Sequence, residues 1–304
     1  MAQPTHQDTL AGFGFALTAY LLWGFLPFFM KEVAHIAPIE VIAHRVIWSV
    51  PIAAAVLWAT GRIGTVAGVF RNPKALGMAV VTASLISVNW GIYVWSIGSG
   101  HALDAALGYY INPLFSIFLG AFLLGERLQT TQKAAIAVAA VAVLILTVQV
   151  GRIPLAALAL TVTWGFYAYF KRALPIGPNE GFLLEVLLLT PPAIGVVLWF
   201  HATGTGHFLA GNLRDDLLLM ACGLVTAVPM MIYANAAKRL RLTTIGILQY
   251  IAPTMILLIA VTAFGEPFGP AQMIAFPMIW AALALYTWGL VAKARRQFIP
   301  ESRA

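Results

Sequence analysis

Tyr110-Ile111-Asn112-Pro113, with Gly125-Glu126 beyond it, returns as Tyr250-Ile251-Ala252-Pro253 with Gly265-Glu266 at the same spacing. The segments 88–126 and 228–266 align without a gap at an offset of 140 residues, with Val88, Ile92 and Tyr93 also matching Val228, Ile232 and Tyr233. At an offset of 141, Trp23-Gly24-Phe25 meets Trp164-Gly165-Phe166, and Lys31 meets Arg172. One apolar match means little in an apolar chain. Trp, Tyr, Pro and Glu in register across a whole half mean more, and they predict two similar halves. The halves are 1–150 and 151–304, the second with a short basic tail.

Composition says what the halves are made of. Of 304 residues, 61% are hydrophobic and only 10% charged. Soluble domains carry about 25% charged residues, and disordered chains are poor in aromatics, so both classes are excluded. Apolar stretches that each suffice for one helical crossing of a bilayer lie at 10–30, 41–60, 75–98, 105–125, 134–150, 153–170, 181–200, 217–237, 242–265 and 267–292. Backbone in lipid must satisfy its own hydrogen bonds, and runs of this length are too long for barrel strands. The expectation is an all-α polytopic membrane protein of ten transmembrane helices. Residues 1–9 hold no Lys or Arg, so 10–30 reads as a first span rather than a signal peptide. Five spans per half is an odd number, so the second half enters the membrane upside down. Two inverted five-helix repeats are a transporter architecture, with the solute site near the midplane between them.

The net charge of +7 has a topological reading. With the N-terminus inside, Arg62, Arg71, Lys74, Arg127, Lys133, Lys171, Arg172, Lys238, Arg239, Arg241, Lys293, Arg295, Arg296 and Arg303 fall on the cytoplasmic side. Only Lys31, Arg152 and Arg214 fall outside. That asymmetry predicts two cytoplasmic termini and favours membrane orientation over nucleic-acid binding. The single cysteine, Cys222, excludes a disulfide framework, and no metal-ligand spacing or phosphate-binding loop occurs. No cofactor, metal or catalytic set is therefore expected.

Candidate functional residues are the polar groups placed within spans. Pro113 and Pro253 interrupt the fourth and ninth, freeing the carbonyls of Tyr109 and Gln249, and paired interruptions point to a transporter's site. Asp104 and Thr244 are expected to cap these two helices. Glu126 and Glu266 read as solvated loop charges ahead of any coupling role. Asn89, Trp90, Tyr93, Tyr109, Tyr110, Asn112, Tyr233, Asn235, Gln249 and Tyr250 are expected to point inward, where they tie helices together or meet a small amphipathic or aromatic solute. Arg45 and Glu185 are charges within spans at equivalent positions. Inversion sets them at heights about 10 Å or more apart, so they are expected not to pair. Arg45 either snorkels or holds an anionic group of the solute; Glu185 either carries a proton or serves structure.

These residues resemble the RarD branch of the EamA-type transporters, in the drug/metabolite transporter superfamily. The resemblance spans roughly 10–290. It rests on Trp23-Gly24-Phe25 with Pro27 and Lys31, His44-Arg45 with Trp48-Ser49, Asn89-Trp90 with Tyr93 and Trp95, Leu107 through Leu114, Leu248 through Thr254, and the two Gly-Glu pairs. It implies ten helices in two inverted repeats around a central cavity, and export of small metabolites or drugs across the bacterial inner membrane. Amino-acid-like or aromatic solutes are plausible cargo. The expected function is secondary transport by alternating access, with a passive channel or facilitator as the alternative. The expected partners are a small-molecule substrate and the lipid bilayer. The oligomeric state stays open, with a monomer plausible.

Overall fold

The computed structural model describes residues 8–70, 72–98, 102–150, 155–263, 265 and 269–298. Among them the regular structure is helical throughout. α1 (Leu10–Glu32) starts at Thr9, whose hydroxyl accepts the Gly12 amide. α2 (Pro38–Ala59) and α8 (Pro178–Thr203) each begin on a proline, whose missing N–H is harmless in a first turn. Between α2 and α8 run α3 (Ile63–Phe70), α4 (Pro73–Gly98), α5 (Ala102–Leu123), α6 (Thr130–Val150) and α7 (Leu155–Ala173). α9 (Leu213–Ala237) is capped by Asn212 and carries Asp215 and Asp216 in its first turn, where the helix dipole favours anions. α10 (Leu242–Leu248), α11 (Ile251–Thr262) and α12 (Pro270–Phe298) complete the chain.

Seven of the described helical runs are long and apolar enough to cross a membrane. The other three expected stretches are helical too, as α5, α7 and α12. The described apolar parts of α5 and α12 are shorter, and α7 ends on Lys171 and Arg172. Trp58, Phe122, Leu144, Val148 and Trp288 stand exposed on the outside of the bundle. An apolar exterior on this scale suits lipid and not water. The chain is a multi-pass, all-α membrane protein.

The helices pair across the two halves. α1 packs on α9 and α11, and α7 packs on α4 and α5. α2 lies against α8 and α9, with α4 against α8; α5 meets α10, and α6 meets α12. Small residues allow the close approaches. Ala135, Ala139 and Ala142 of α6 form a buried stripe against Ala275, Ile279 and Ala282 of α12. A Cβ on Gly246 would lie 2.7 Å from the Pro113 carbonyl oxygen, so α10 crosses α5 almost backbone to backbone.

Three local expectations change. The ninth stretch is divided between α10 and α11 at Gln249–Tyr250, four residues ahead of Pro253, whereas α5 runs unbroken through Pro113. Each proline removes one ladder hydrogen bond, but only in the second half is the helix divided there. Arg241, not Thr244, sits at the N-cap of α10, and Thr244 instead donates to Asp8 at 2.8 Å. α5 begins at Ala102, which puts Asp104 inside the helix and not at its cap.

Candidate functional site

Four helices bring Arg45, Trp90, Tyr93, Tyr109 and Thr226 together. Arg45 lies two turns into α2, and its Nε donates to Thr226 Oγ1 of α9 at 2.9 Å. Thr226 donates in turn to the Cys222 carbonyl at 2.7 Å, leaving a lone pair for the arginine. The guanidinium carbon stands 5.2 Å from the centre of the Trp90 ring, within cation–π range. Tyr93 and Tyr109 meet edge to face at 6.1 Å, both within electrostatic reach of Arg45. Tyr109 is 43% exposed although these groups surround it.

The equivalent positions of the second half are closed. Tyr233, Gln249 and Tyr250 are buried, where Tyr93, Tyr109 and Tyr110 are open or half-buried. Tyr233 fills the centre of the bundle against Trp23 and Trp164, at 5.5 and 5.7 Å between rings. Trp23 and Trp164, themselves equivalent, touch edge to face at 5.8 Å. The Tyr-Ile-x-Pro motifs also meet, since the Tyr110 hydroxyl donates to the Pro253 carbonyl at 3.4 Å.

Other polar candidates serve as ties in this structure. The Asn89 amide donates to the Leu160 carbonyl and to Thr163 Oγ1, at 3.0 and 2.9 Å, holding α4 to α7. Gln249 donates to Ser116 at 3.3 Å, joining α10 to α5. Asn235 donates to Asn179 at 2.8 Å and accepts from Arg239 at 2.9 Å, away from the aromatic centre. Asn112 is buried in α5, its Oδ1 without a hydrogen-bond partner.

Arg45 and Glu185 do not pair. Glu185 accepts from Lys171 Nζ at 2.7 Å and from the Tyr167 hydroxyl at 3.3 Å, with both charged side chains about 2% exposed. Lys171 thus belongs to the interior, although its position at a helix end reads as a loop charge. Glu126 is likewise no solvated loop charge. Its carboxylate accepts the Leu242 and Thr243 amides at 2.8 and 2.9 Å, capping α10, and pairs with Arg172 at 3.1 Å. Glu266 lies outside the described residues. Lys238 donates to the carbonyls of Arg172 and Leu174, and burial, with repulsion from Lys171 and Arg172, pushes it down to about 8.

Two further buried carboxylates escape a reading based on repeats of Tyr, Trp and Pro. Glu40 accepts the His207 amide at 2.7 Å and faces its ring at 3.1 Å, while Glu180 pairs with Arg62 at 3.0 Å. The signal was present: Pro38-Ile39-Glu40 and Pro178-Asn179-Glu180 stand 140 residues apart, the same offset again. Two networks result. Asp8, Arg62, Glu126, Arg172, Glu180, Lys238 and Arg241 mark one end of the bundle. Glu32, His35, Glu40, His207, Arg214 and Asp215 mark the other.

A sequence profile of the EamA-like transporter family matches the chain twice, over residues 10–148 and 152–288. A protein named RarD from Streptomyces exfoliatus is 41% identical, over 94% of this chain and 90% of its own length. An uncharacterized transporter of Vibrio cholerae is 38% identical, over 93% of this chain and 94% of its own. The RarD protein of Escherichia coli is 35% identical, over 95% and 98%. A solved crystal structure, 22% identical, shares the fold with a TM-score of 0.70 over 93% of this chain and 99% of that one.

Proposed function

The chain belongs to the EamA-like transporter family, in its RarD branch, and from that premise we propose a secondary transporter that exports small organic solutes by alternating access. Ten spans in two inverted repeats, 1–150 and 151–304, form the bundle. The double profile match supports this division. So does the packing: exchanging the halves turns α1 on α9 into α7 on α4, and α1 on α11 into α7 on α5. The same exchange turns α2 on α9 into α8 on α4, and returns α2 on α8 and α6 on α12 to themselves. Basic residues gather at one end, which supports cytoplasmic termini in a bacterial inner membrane.

The observation that carries alternating access is the unequal exposure of equivalent residues. Two structurally similar repeats in one chain can take two conformations and can exchange them. Here Tyr109 is 43% exposed and its partner Gln249 6%; Tyr93 is half-buried while Tyr233 is fully buried. On this reading the side bearing Tyr93 and Tyr109 opens outward and the end bearing Glu126–Arg172 is closed. The exchanged state uncovers Tyr233, Asn235, Gln249 and Tyr250 toward the cytoplasm and covers Trp90, Tyr93, Tyr109 and Tyr110. Asn89 and Asn112 stay between the halves. With no nucleotide site in the sequence, the drive is an ion gradient or the solute's own. Glu185 is the candidate proton carrier.

Purified protein in liposomes tests the reading. Amino-acid-like and aromatic solutes should exchange and, under an imposed proton gradient, accumulate uphill. Accumulation that never exceeds equilibration would make the protein a passive facilitator. Tyr93→Ala, Asn112→Ala, Gln249→Ala and Tyr250→Ala should each lower transport at least tenfold with insertion intact. Normal rates in all four would remove these residues from the path.

A further inference from the structure

Four buried carboxylates are each matched by a basic side chain. Glu185 has Lys171, Glu180 has Arg62, Glu40 has His207 and Asp215 has His35. Arg45 lies in the same interior, yet among the described residues it has no carboxylate within ion-pair distance. Its contacts are the Nε bond to Thr226 and the face of Trp90. Neither engages the two Nη groups, and neither Nη atom is among the sealed, unpartnered donors, so both remain available to a partner. A cation in a membrane interior is costly unless an anion meets it. A guanidinium anchored through Nε presents its remaining N–H groups as a planar fork, whose geometry matches the two oxygens of a carboxylate.

The surroundings define what the carboxylate would be attached to. Trp90 covers one side of the guanidinium, and Tyr93 and Tyr109 form the adjoining wall. These rings offer apolar faces at low entropy cost, with phenol hydroxyls at their rims. We propose that Arg45, Trp90, Tyr93 and Tyr109 form an anion subsite that takes the carboxylate of a small aryl acid, its ring lying against the tyrosines. The proposal rests on the transporter reading and narrows its substrate class.

Equilibrium binding to the full-length protein in lipid nanodiscs tests it without requiring transport. The probes are phenylacetate, its neutral isostere phenylacetamide, and acetate, which lacks the ring. Phenylacetate should bind at least tenfold more tightly than either of the others, a difference within reach of one charge-assisted bidentate contact. Arg45→Gln should erase that preference by weakening phenylacetate to the level of phenylacetamide, whose own affinity stays unchanged. Arg45→Lys should restore it in part. If Arg45→Gln fails to fold, Tyr109→Leu supplies the second reading: phenylacetate weakens severalfold while acetate does not. Equal binding of acid and amide, or full phenylacetate affinity in Arg45→Gln, overturns the subsite. Liposome exchange of other solutes alongside such a result leaves the transporter reading standing. Arg45-dependent binding without exchange of any solute does the reverse.

Discussion

Lys171 and Glu185 are two charges that lipid and protein together shield from water. Burying such a pair gains little over an apolar pair, but removing one partner strands the other and costs about 3–5 kcal/mol. Lys171→Met should therefore unfold markedly earlier in a detergent titration, and Lys171→Met with Glu185→Leu should recover most of the loss. A single variant as stable as the double would show that water reaches the site. Lys238 makes a prediction in pH. Its ordinary value is 10.5 and burial lowers it to about 8 in the folded protein. Between those values the unfolded chain holds more protons than the folded one, so stability rises with pH across that window. Below it both states are protonated and this residue contributes no slope. Lys238→Met should flatten the rise, and an unchanged slope in that variant would assign it to another group.

Single helices are placed by where a side chain must be missing. Gly246 has the Pro113 oxygen 2.7 Å from where a Cβ would stand, whereas Gly77 has nothing within 4 Å. Gly246→Ala should lower stability by about 1–3 kcal/mol through overpacking at the α5–α10 crossing, while Gly77→Ala is neutral or slightly stabilising. Comparable thermal midpoints for the two variants would contradict the close crossing. Glu126 acts on the same helix from its other end, since its carboxylate takes the first amides of α10 and the charge of Arg172. Glu126→Ala should cost more than Glu126→Gln, because the glutamine oxygen can still accept an amide hydrogen. Equal losses would mean that the charge, and not the cap, is what stabilises the helix.

Across the whole molecule, the two halves share a sequence pattern and differ in exposure. Cys222 is buried, so a Cys222→Ser background is suited to labelling. On it, Tyr109→Cys should react with an impermeant maleimide added outside cells, and Gln249→Cys should react slowly from either side until solute is cycling. Fast labelling at both positions from outside would contradict a bundle closed at one end. Much of this was legible beforehand. Hydropathy marked every long helix, because lipid demands unbroken apolar runs, and repeated Trp, Tyr and Pro marked the two halves. Illegible were Lys171 as an interior charge and Glu126 as a cap, since a residue at a helix end reads alike whether its side chain turns inward or outward. The cluster at Arg45 was half legible: the charge was conspicuous in its span, but its partners lie 45 to 181 residues away in sequence and meet it only when α2, α4, α5 and α9 converge. By itself, the sequence determined an all-helical membrane chain with an internal repeat, because hydrophobic length and residue register are local properties. Which member of each equivalent pair is open and which sealed was decided by the tertiary structure. Equivalent positions of similar helices can be open or sealed, and packing against the other half selects between these states.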